Sequence, residues 1–368
     1  MDLGFFIMPS HPPERKLYDG HQWDLQALRW ADEFGYKEAW IGEHHTCPWE
    51  PHPAPDLLVA QSLRETTQLR IGTGGFLLPY HHPAELANRA AMLDHLSQGR
   101  FNFGIAASGL PSDWAMFNVD GMKGEHRAML QEALEIILRL WSDEAEFEHV
   151  GKFWTVRKPA SNSLGTLRPH LKPFQKPHPP ISLSGLSAKS DTLKLCGERG
   201  FMPMSLNLNT GYVRGHWASV EEGANKVGRT ADRNLWRVSR EVCVAETDGA
   251  AWKLAVEGGL GRLWREHLLP LFRDFNYLSF LKHDQAVPDS DVTVEYIAKH
   301  NWLIGTPDTV ADKLERMYDD LGGFGTMVML GTDYVDQPEA WRESMRLIAH
   351  EVMPKVRHLT PVKLAKSA

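Results

Sequence analysis

The chain has 368 residues, a length that exceeds the usual single-domain size but that an α/β barrel accommodates as one unit. Apolar residues make up 42% and charged residues 24%, so the chain can bury a core; a net charge of -7 without any Lys/Arg run argues against a nucleic-acid partner. Cys47, Cys196 and Cys243 are far apart and odd in number, which fits a reducing cytoplasm better than a disulfide framework, and no segment approaches the ~18 apolar residues of a membrane span.

Strand-like and helix-like segments alternate from the start. The first apolar run, Leu3 to Met8, lacks a basic flank and is too short for a signal peptide, so it reads as a strand. Helical periodicity follows from Trp23 to Phe34 and ends at Gly35. Next come strand Glu38 to Gly42, helix Pro55 to Arg64, strand Leu69 to Thr73, helix Pro83 to Leu96, strand Phe101 to Ile105 and helix Glu125 to Trp141. The rhythm breaks over 142–178, where FEHVGKFWTV predicts a small hairpin around Gly151 and RPHLKPFQKPHPP an extended connector. It resumes with strand Pro180 to Ser184, helix Ala188 to Arg199, strand Met202 to Leu206, helix Thr210 to Val227 and strand Arg237 to Ala245. A second insertion, 257–300, predicts extra helices. Then GTPDTVADKLERM supplies a capped helix, with Thr306 or Asp308 at its start and Pro307 in its first turn. Strand Gly325 to Leu330 and helix Glu339 to Val352 close the series.

Eight such β/α units predict parallel strands joined by right-handed crossovers, and so an α/β fold of the (β/α)8 TIM-barrel type, one domain over 1–368. A doubly wound open sheet is the alternative. Neither GxGxxG at a strand-to-helix turn nor GxxxxGK[ST] is present to favour it. In a barrel, reactive groups gather at the C-terminal ends of the strands.

Four stretches place chemistry-bearing residues there. EAWIGEHH brings Glu43, His44 and His45 to the end of the second strand. Neighbours on a strand point to opposite sides, so the three side chains cannot share one ion, and no metal is expected. IGTGGFLLPYHHP contains the pair Gly74-Gly75, which marks either a simple bulge or bare backbone against which a flat ring can lie; His82, just before Pro83, is expected to face the barrel mouth. GRFNFGIAASGLPSDW ends its strand in small residues at Ala106 and is followed by Trp114 and Phe117, candidate walls of an apolar site together with Trp49 and Tyr80. ISLSGLSAKSDTLKL places Ser187, Ser190 and Thr192 at a helix start, which reads equally as an anion site or as ordinary N-capping. Thirteen tryptophans and thirteen methionines suggest an aromatic, adaptable cavity, although large core residues account for most of them.

Together EAWIGEHH, GTGGFLLPYHHP, LDHLSQGRFNFGI, ISLSGLSAKSDTLKLCGERGF and IGTPDTVADKL resemble, in order and over most of the chain, the bacterial luciferase-like flavin monooxygenases. YKEAWIGEHH and LRPHLKPFQKPHPPISLSG look most like the limonene and diketocamphane (type II Baeyer–Villiger) branches. The resemblance implies an interrupted barrel that binds FMN as FMNH2 supplied by a separate flavin reductase. It also implies O2 as co-substrate, a flavin C4a-(hydro)peroxide, a homodimer and a small apolar, terpenoid or cyclic substrate. His44 falls on the family's catalytic histidine, Gly74-Gly75 on its non-prolyl cis peptide beneath the flavin, and Ser187, Ser190 and Thr192 on its phosphate site. Glu43, His45 and His82 are left supporting roles. Ala106-Ala107 stands where luciferase has Cys-Arg, which argues against light emission and leaves the phosphate charge to the helix start and Lys189. A deazaflavin-dependent oxidoreductase and a non-catalytic flavin-binding relative are the alternatives on the same fold.

Overall fold

The computed structural model describes residues 1–142 and 145–360; two residues of the predicted insertion, 143–144, and the last eight of the predicted 1–368 unit lie outside them. Eight parallel strands close on one another: β1 (Asp2–Ile7), β2 (Glu38–Ile41), β3 (Arg70–Thr73), β4 (Phe101–Ala106), β5 (Ile181–Gly185), β6 (Met202–Ser205), β7 (Arg237–Arg240) and β8 (Thr326–Gly331). Each pairs with its successor, and β8 returns to β1 through Asp2 opposite Thr326 to Ile7 opposite Gly331. Eight helices pack outside: α1 (Leu17–Glu33), α2 (Pro55–Glu65), α3 (Pro83–Leu96), α4 (Glu125–Trp141), α5 (Asp191–Arg199), α6 (Thr210–Lys226), α7 (Pro307–Leu321) and α8 (Pro338–Leu347). Most of the strands are rich in apolar residues because both faces are buried, one under helices and one inside the barrel, whereas β7 reads Arg-Val-Ser-Arg. Phe6, Trp40, Met202, Met204 and Val328 form an apolar cluster of their own. Below it the Arg237 guanidinium pairs with Glu38 at 2.9 Å, and Trp40 donates its indole N–H to the same carboxylate.

Backbone approaches backbone closely at the seam between β3 and β4. A Cβ on Gly104 would lie 1.8 Å from the Thr73 carbonyl oxygen, and one on Gly75 would lie 2.6 Å from the backbone nitrogen of Ile105. Thr73 stitches the seam by donating its hydroxyl to the Gly104 carbonyl at 2.6 Å.

Two expectations change. The strand predicted over Arg237 to Ala245 breaks at Glu241: Arg237–Arg240 stays in the barrel, whereas Val242–Val244 leaves it and pairs with Leu303–Gly305. The break coincides with the burial of the Glu241 carboxylate, which accepts hydrogen bonds from Asn207 and Trp264. The helix predicted from Ala188 begins at Asp191, because the Ser190 hydroxyl caps it by accepting from the Leu193 N–H. The predicted hairpin is present as Phe147–Val150 against Thr155–Lys158, and 257–300 contains the short helices Gly259–Leu263, Trp264–Leu268, Leu269–Asp274 and Val294–His300.

At the mouth, the loop after β1 is clamped to the loop after β8. His11 lies between Asp333 (Nδ1 to Oδ2, 2.9 Å) and Asp24 (Nε2 to Oδ2, 3.1 Å), and Arg15 also pairs with Asp333 at 2.9 Å. Burial disfavours a charge on His11, but the two carboxylates outweigh it and raise its pKa to about 9.

Two outcomes are expected. Gly104→Ala destabilises the fold by about 1–3 kcal/mol, read as a lower midpoint of denaturant unfolding, because the Thr73 backbone carbonyl in its path cannot move aside. The His11 clamp stabilises fully below the unfolded-state pKa of 6.5 and is lost as pH rises through about 9. Unfolding free energy should therefore fall between pH 6.5 and 9 by a contribution on the order of 3 kcal/mol that His11→Gln removes.

Candidate active site

After Gly42, three consecutive residues beyond the end of β2 direct their side chains alternately. Glu43 and His45 turn to one side, where the Glu43 carboxylate, only 1% exposed, meets His45 Nε2 at 2.8 Å and His81 Nε2 at 2.9 Å and accepts the Leu77 N–H at 3.1 Å. Burial alone would raise the Glu43 pKa, but these hydrogen bonds lower it, so the group stays ionised.

His44 turns the other way, toward two further carboxylates. Its Nε2 lies 3.4 Å from Glu50 and its Nδ1 3.5 Å from Asp113. These separations are those of ion pairs rather than hydrogen bonds, and His44 Nδ1 and Asp113 Oδ2 are both buried without a hydrogen-bond partner. Burial opposes protonation of His44, yet Asp113 and Glu50 together raise its pKa. Asp113 sits in the first turn of the short helix Pro111–Met116, where its other oxygen accepts from the Thr46 N–H at 2.9 Å. Glu50 is buried and accepts the Ser10 hydroxyl at 3.2 Å.

An apolar wall adjoins the Glu43 side. The rings of Tyr80 and Phe117 stack with centroids 4.2 Å apart, and His45 stands edge-on to both at 5.4 and 4.7 Å. The Tyr80 hydroxyl donates to Ser108 Oγ at 2.8 Å, just beyond Ala106, the last residue of β4. Trp49 contributes from a separate cluster with Cys47 and Leu263, its ring stacked on His267.

Two expected members lie elsewhere. Trp114 stacks on His126 at 4.9 Å and packs over Gly121, away from the Tyr80–Phe117 pair. His82 is exposed and caps α3, its ring nitrogen accepting from the Ala84 N–H at 3.3 Å. Its neighbour His81 occupies the inward position instead, since consecutive extended residues cannot both point into the barrel mouth.

The Gly74-Gly75 peptide is cis. At the start of α5, Ser190 caps the helix while the Thr192 hydroxyl donates to the Ser184 carbonyl at 2.8 Å, so both hydroxyls are engaged within the protein. Ser187, Ala188 and Lys189 remain exposed beside them. At the end of β7, Arg240 and Glu241 are both buried. Arg240 donates to Thr210 Oγ1 at 3.1 Å and burial lowers its pKa to about 10, whereas Glu241 keeps one unpartnered oxygen and burial raises its pKa to about 7.

Sequence reasoning passed over Glu50, Asp113, Arg240, Glu241 and His267. Asp113 reads as an ordinary acid in a first helical turn and Glu241 as an ordinary strand residue. For His267, 223 positions beyond His44, no local signal exists.

Comparison with known proteins places this geometry. Residues 1–323 match the family model described as luciferase-like monooxygenase. The chain is 32% identical to 2,5-diketocamphane 1,2-monooxygenase 1 of Pseudomonas putida, over 97% of this chain and 99% of that protein. It is 30% identical to limonene 1,2-monooxygenase of Rhodococcus erythropolis, over 96% and 86%. The oxygenating constituent of 3,6-diketocamphane monooxygenase of Pseudomonas putida, a type II Baeyer–Villiger monooxygenase solved in complex with FMN, superposes with a TM-score of 0.91 at 31% identity, covering 99% of both chains. The barrel, the strand-end histidines and the cis glycine pair are thus those of a chain that belongs to the luciferase-like monooxygenase family.

Proposed function

We propose that the protein is the oxygenating component of a two-component system that transfers one oxygen atom from O2 to a small apolar, cyclic substrate, using FMN reduced by a separate flavin reductase. The observation that carries this reading is His44 at the barrel mouth, held between the carboxylates of Asp113 and Glu50. The relatives' names support the substrate class, since camphane and limonene are small cyclic hydrocarbon skeletons. The related 3,6-diketocamphane monooxygenase chain is an oxygenating constituent, which supports a second, reducing component here.

The residues present fit FMN. The Gly74-Gly75 peptide offers backbone without side chains for a flat ring to lie against. The start of α5 offers a phosphate dianion the positive end of a helix dipole, with Ser187 and Lys189 exposed beside it; Ser190 and Thr192 shape that turn through their own hydrogen bonds. Reduced FMN supplies the electrons that activate O2. The chain's own residues do the rest. His44 holds a proton more readily than a free imidazole because two carboxylates face it, and it can release or accept that proton at either ring nitrogen. Glu43 fixes His45 and His81, and His45 in turn buttresses the Tyr80–Phe117 stack. That stack and Trp49 keep water from the reacting atoms, which protects oxygen transfer from loss as hydrogen peroxide.

Two tests follow. With FMNH2 supplied directly, His44→Ala should lose product formation by about 10²–10⁴-fold while flavin oxidation continues and hydrogen peroxide accumulates. Near-normal product yield would remove His44 from the proton-transfer role. Asp113→Asn removes a charge that raises the His44 pKa, so the limb of the kcat/KM pH profile that reports His44 should move to lower pH. An unmoved limb would show that Asp113 does not tune His44.

A further inference from the structure

Cys47 and His267 take no part in the proton chemistry of His44, yet they meet beside it. Cys47 comes three residues after His44, and His267 comes from the inserted helix Trp264–Leu268. The Cys47 sulfur lies 3.4 Å from His267 Nε2, and Nε2 lies 3.8 Å from Glu50 Oε1. The three ligand atoms all fall within 4.8 Å of one another. We propose that Cys47, Glu50 and His267 form a binding site for a thiophilic divalent cation, with zinc as the ion of matching chemistry.

The geometry carries the proposal. Zinc bonds sulfur at ~2.3 Å and nitrogen or carboxylate oxygen at ~2.0–2.2 Å, so a tetrahedral centre sets sulfur and nitrogen ~3.6 Å apart and nitrogen and oxygen ~3.4 Å apart. The observed separations differ from these by a few tenths of an ångström, so rotamer adjustment is enough to admit the ion. One thiolate, one imidazole and one carboxylate form a three-ligand set that leaves a fourth position for water. The thiol gives its proton to solvent as the sulfur–metal bond forms, and a thiolate and a carboxylate together neutralise the ion's two charges.

The surroundings hold two of the ligands in place. Trp49 stacks on the His267 imidazole at 5.9 Å with only 10° between the planes, and Ser10 donates to the Glu50 oxygen that faces the site. The His267 side chain is 12% exposed and that of Glu50 9%, so the site opens narrowly to solvent. Because the other Glu50 oxygen faces His44, a bound cation would join the inserted helix to the loop after β2 and place positive charge beside that histidine. The proposal concerns cation binding and stands independently of the oxygenation reading.

The test uses the full chain, stripped with a chelator and titrated with zinc against a chromophoric competitor, and in parallel with cobalt(II). One equivalent of zinc should bind, and cobalt should give a near-ultraviolet thiolate-to-metal charge-transfer band. Cys47→Ser should abolish that band and weaken zinc by at least ~10-fold, and His267→Gln should weaken it similarly, whereas Cys243→Ser leaves both unchanged. Zinc should also slow alkylation of Cys47 in the unmodified chain by ~10-fold or more, a measurement that requires no variant to fold. Absence of a saturable equivalent, a charge-transfer band that survives Cys47→Ser, or unaltered alkylation would overturn the site.

Discussion

The period of two along a β-strand, enforced where eight parallel strands close on one another, governs the chemistry of this protein. At the end of β2 it sends Glu43 and His45 to one side and His44 to the other. One polar run thereby becomes two environments with different partners. Glu43 serves as a buried anchor for two histidines, whereas His44 meets Asp113 and Glu50, which reach it from the short helix Pro111–Met116 and from further along its own loop. The same period decides between His81 and His82, turning the first to Glu43 and leaving the second to cap a helix.

Closure of the barrel brings these groups together, and the seam between β3 and β4 is a point of close backbone approach. Gly104 and Gly75 lie where backbone meets backbone, and Thr73 bridges the gap with a hydrogen bond. Beyond the seam the chain turns through the cis Gly74-Gly75 peptide to Leu77, whose N–H is bound by Glu43. The glycines that permit close approach of the strands and the glutamate that orders the histidines therefore belong to one continuous piece of structure.

Burial and charge act against each other throughout the mouth. His11 and His44 are each disfavoured as cations by burial, and each is returned toward the charged form by a pair of carboxylates. At Glu241 burial outweighs the hydrogen bonds from Asn207 and Trp264 and the charge of Arg240, and its pKa rises to about 7. In each of these three buried groups the balance between burial and neighbouring charge, rather than either alone, sets the direction of the shift. The inserted segment between β7 and β8 supplies Trp264 to Glu241 and His267 to Glu50, so it shapes both ends of this charged rim.

Much of this was legible along the chain. The alternation of apolar runs and capped helices is local, because strand and helix periods and capping residues act over a few positions, and it sufficed for the eight-unit barrel and for the placement of His44 at a strand end. Alternation argued against one ion shared by Glu43, His44 and His45, and the family resemblance singled out His44 among them. What the chain order could not carry were contacts across the mouth. The pairing of His44 with Asp113, the exit of β7 at Glu241, the stacking of Trp114 on His126 and the approach of His267 to Cys47 all join residues whose separation in sequence has no bearing on their separation in space. Local periodicity determined the elements and the strand ends; only closure of the barrel decided which side chains meet there, because that depends on the register of strands and loops distant in the chain.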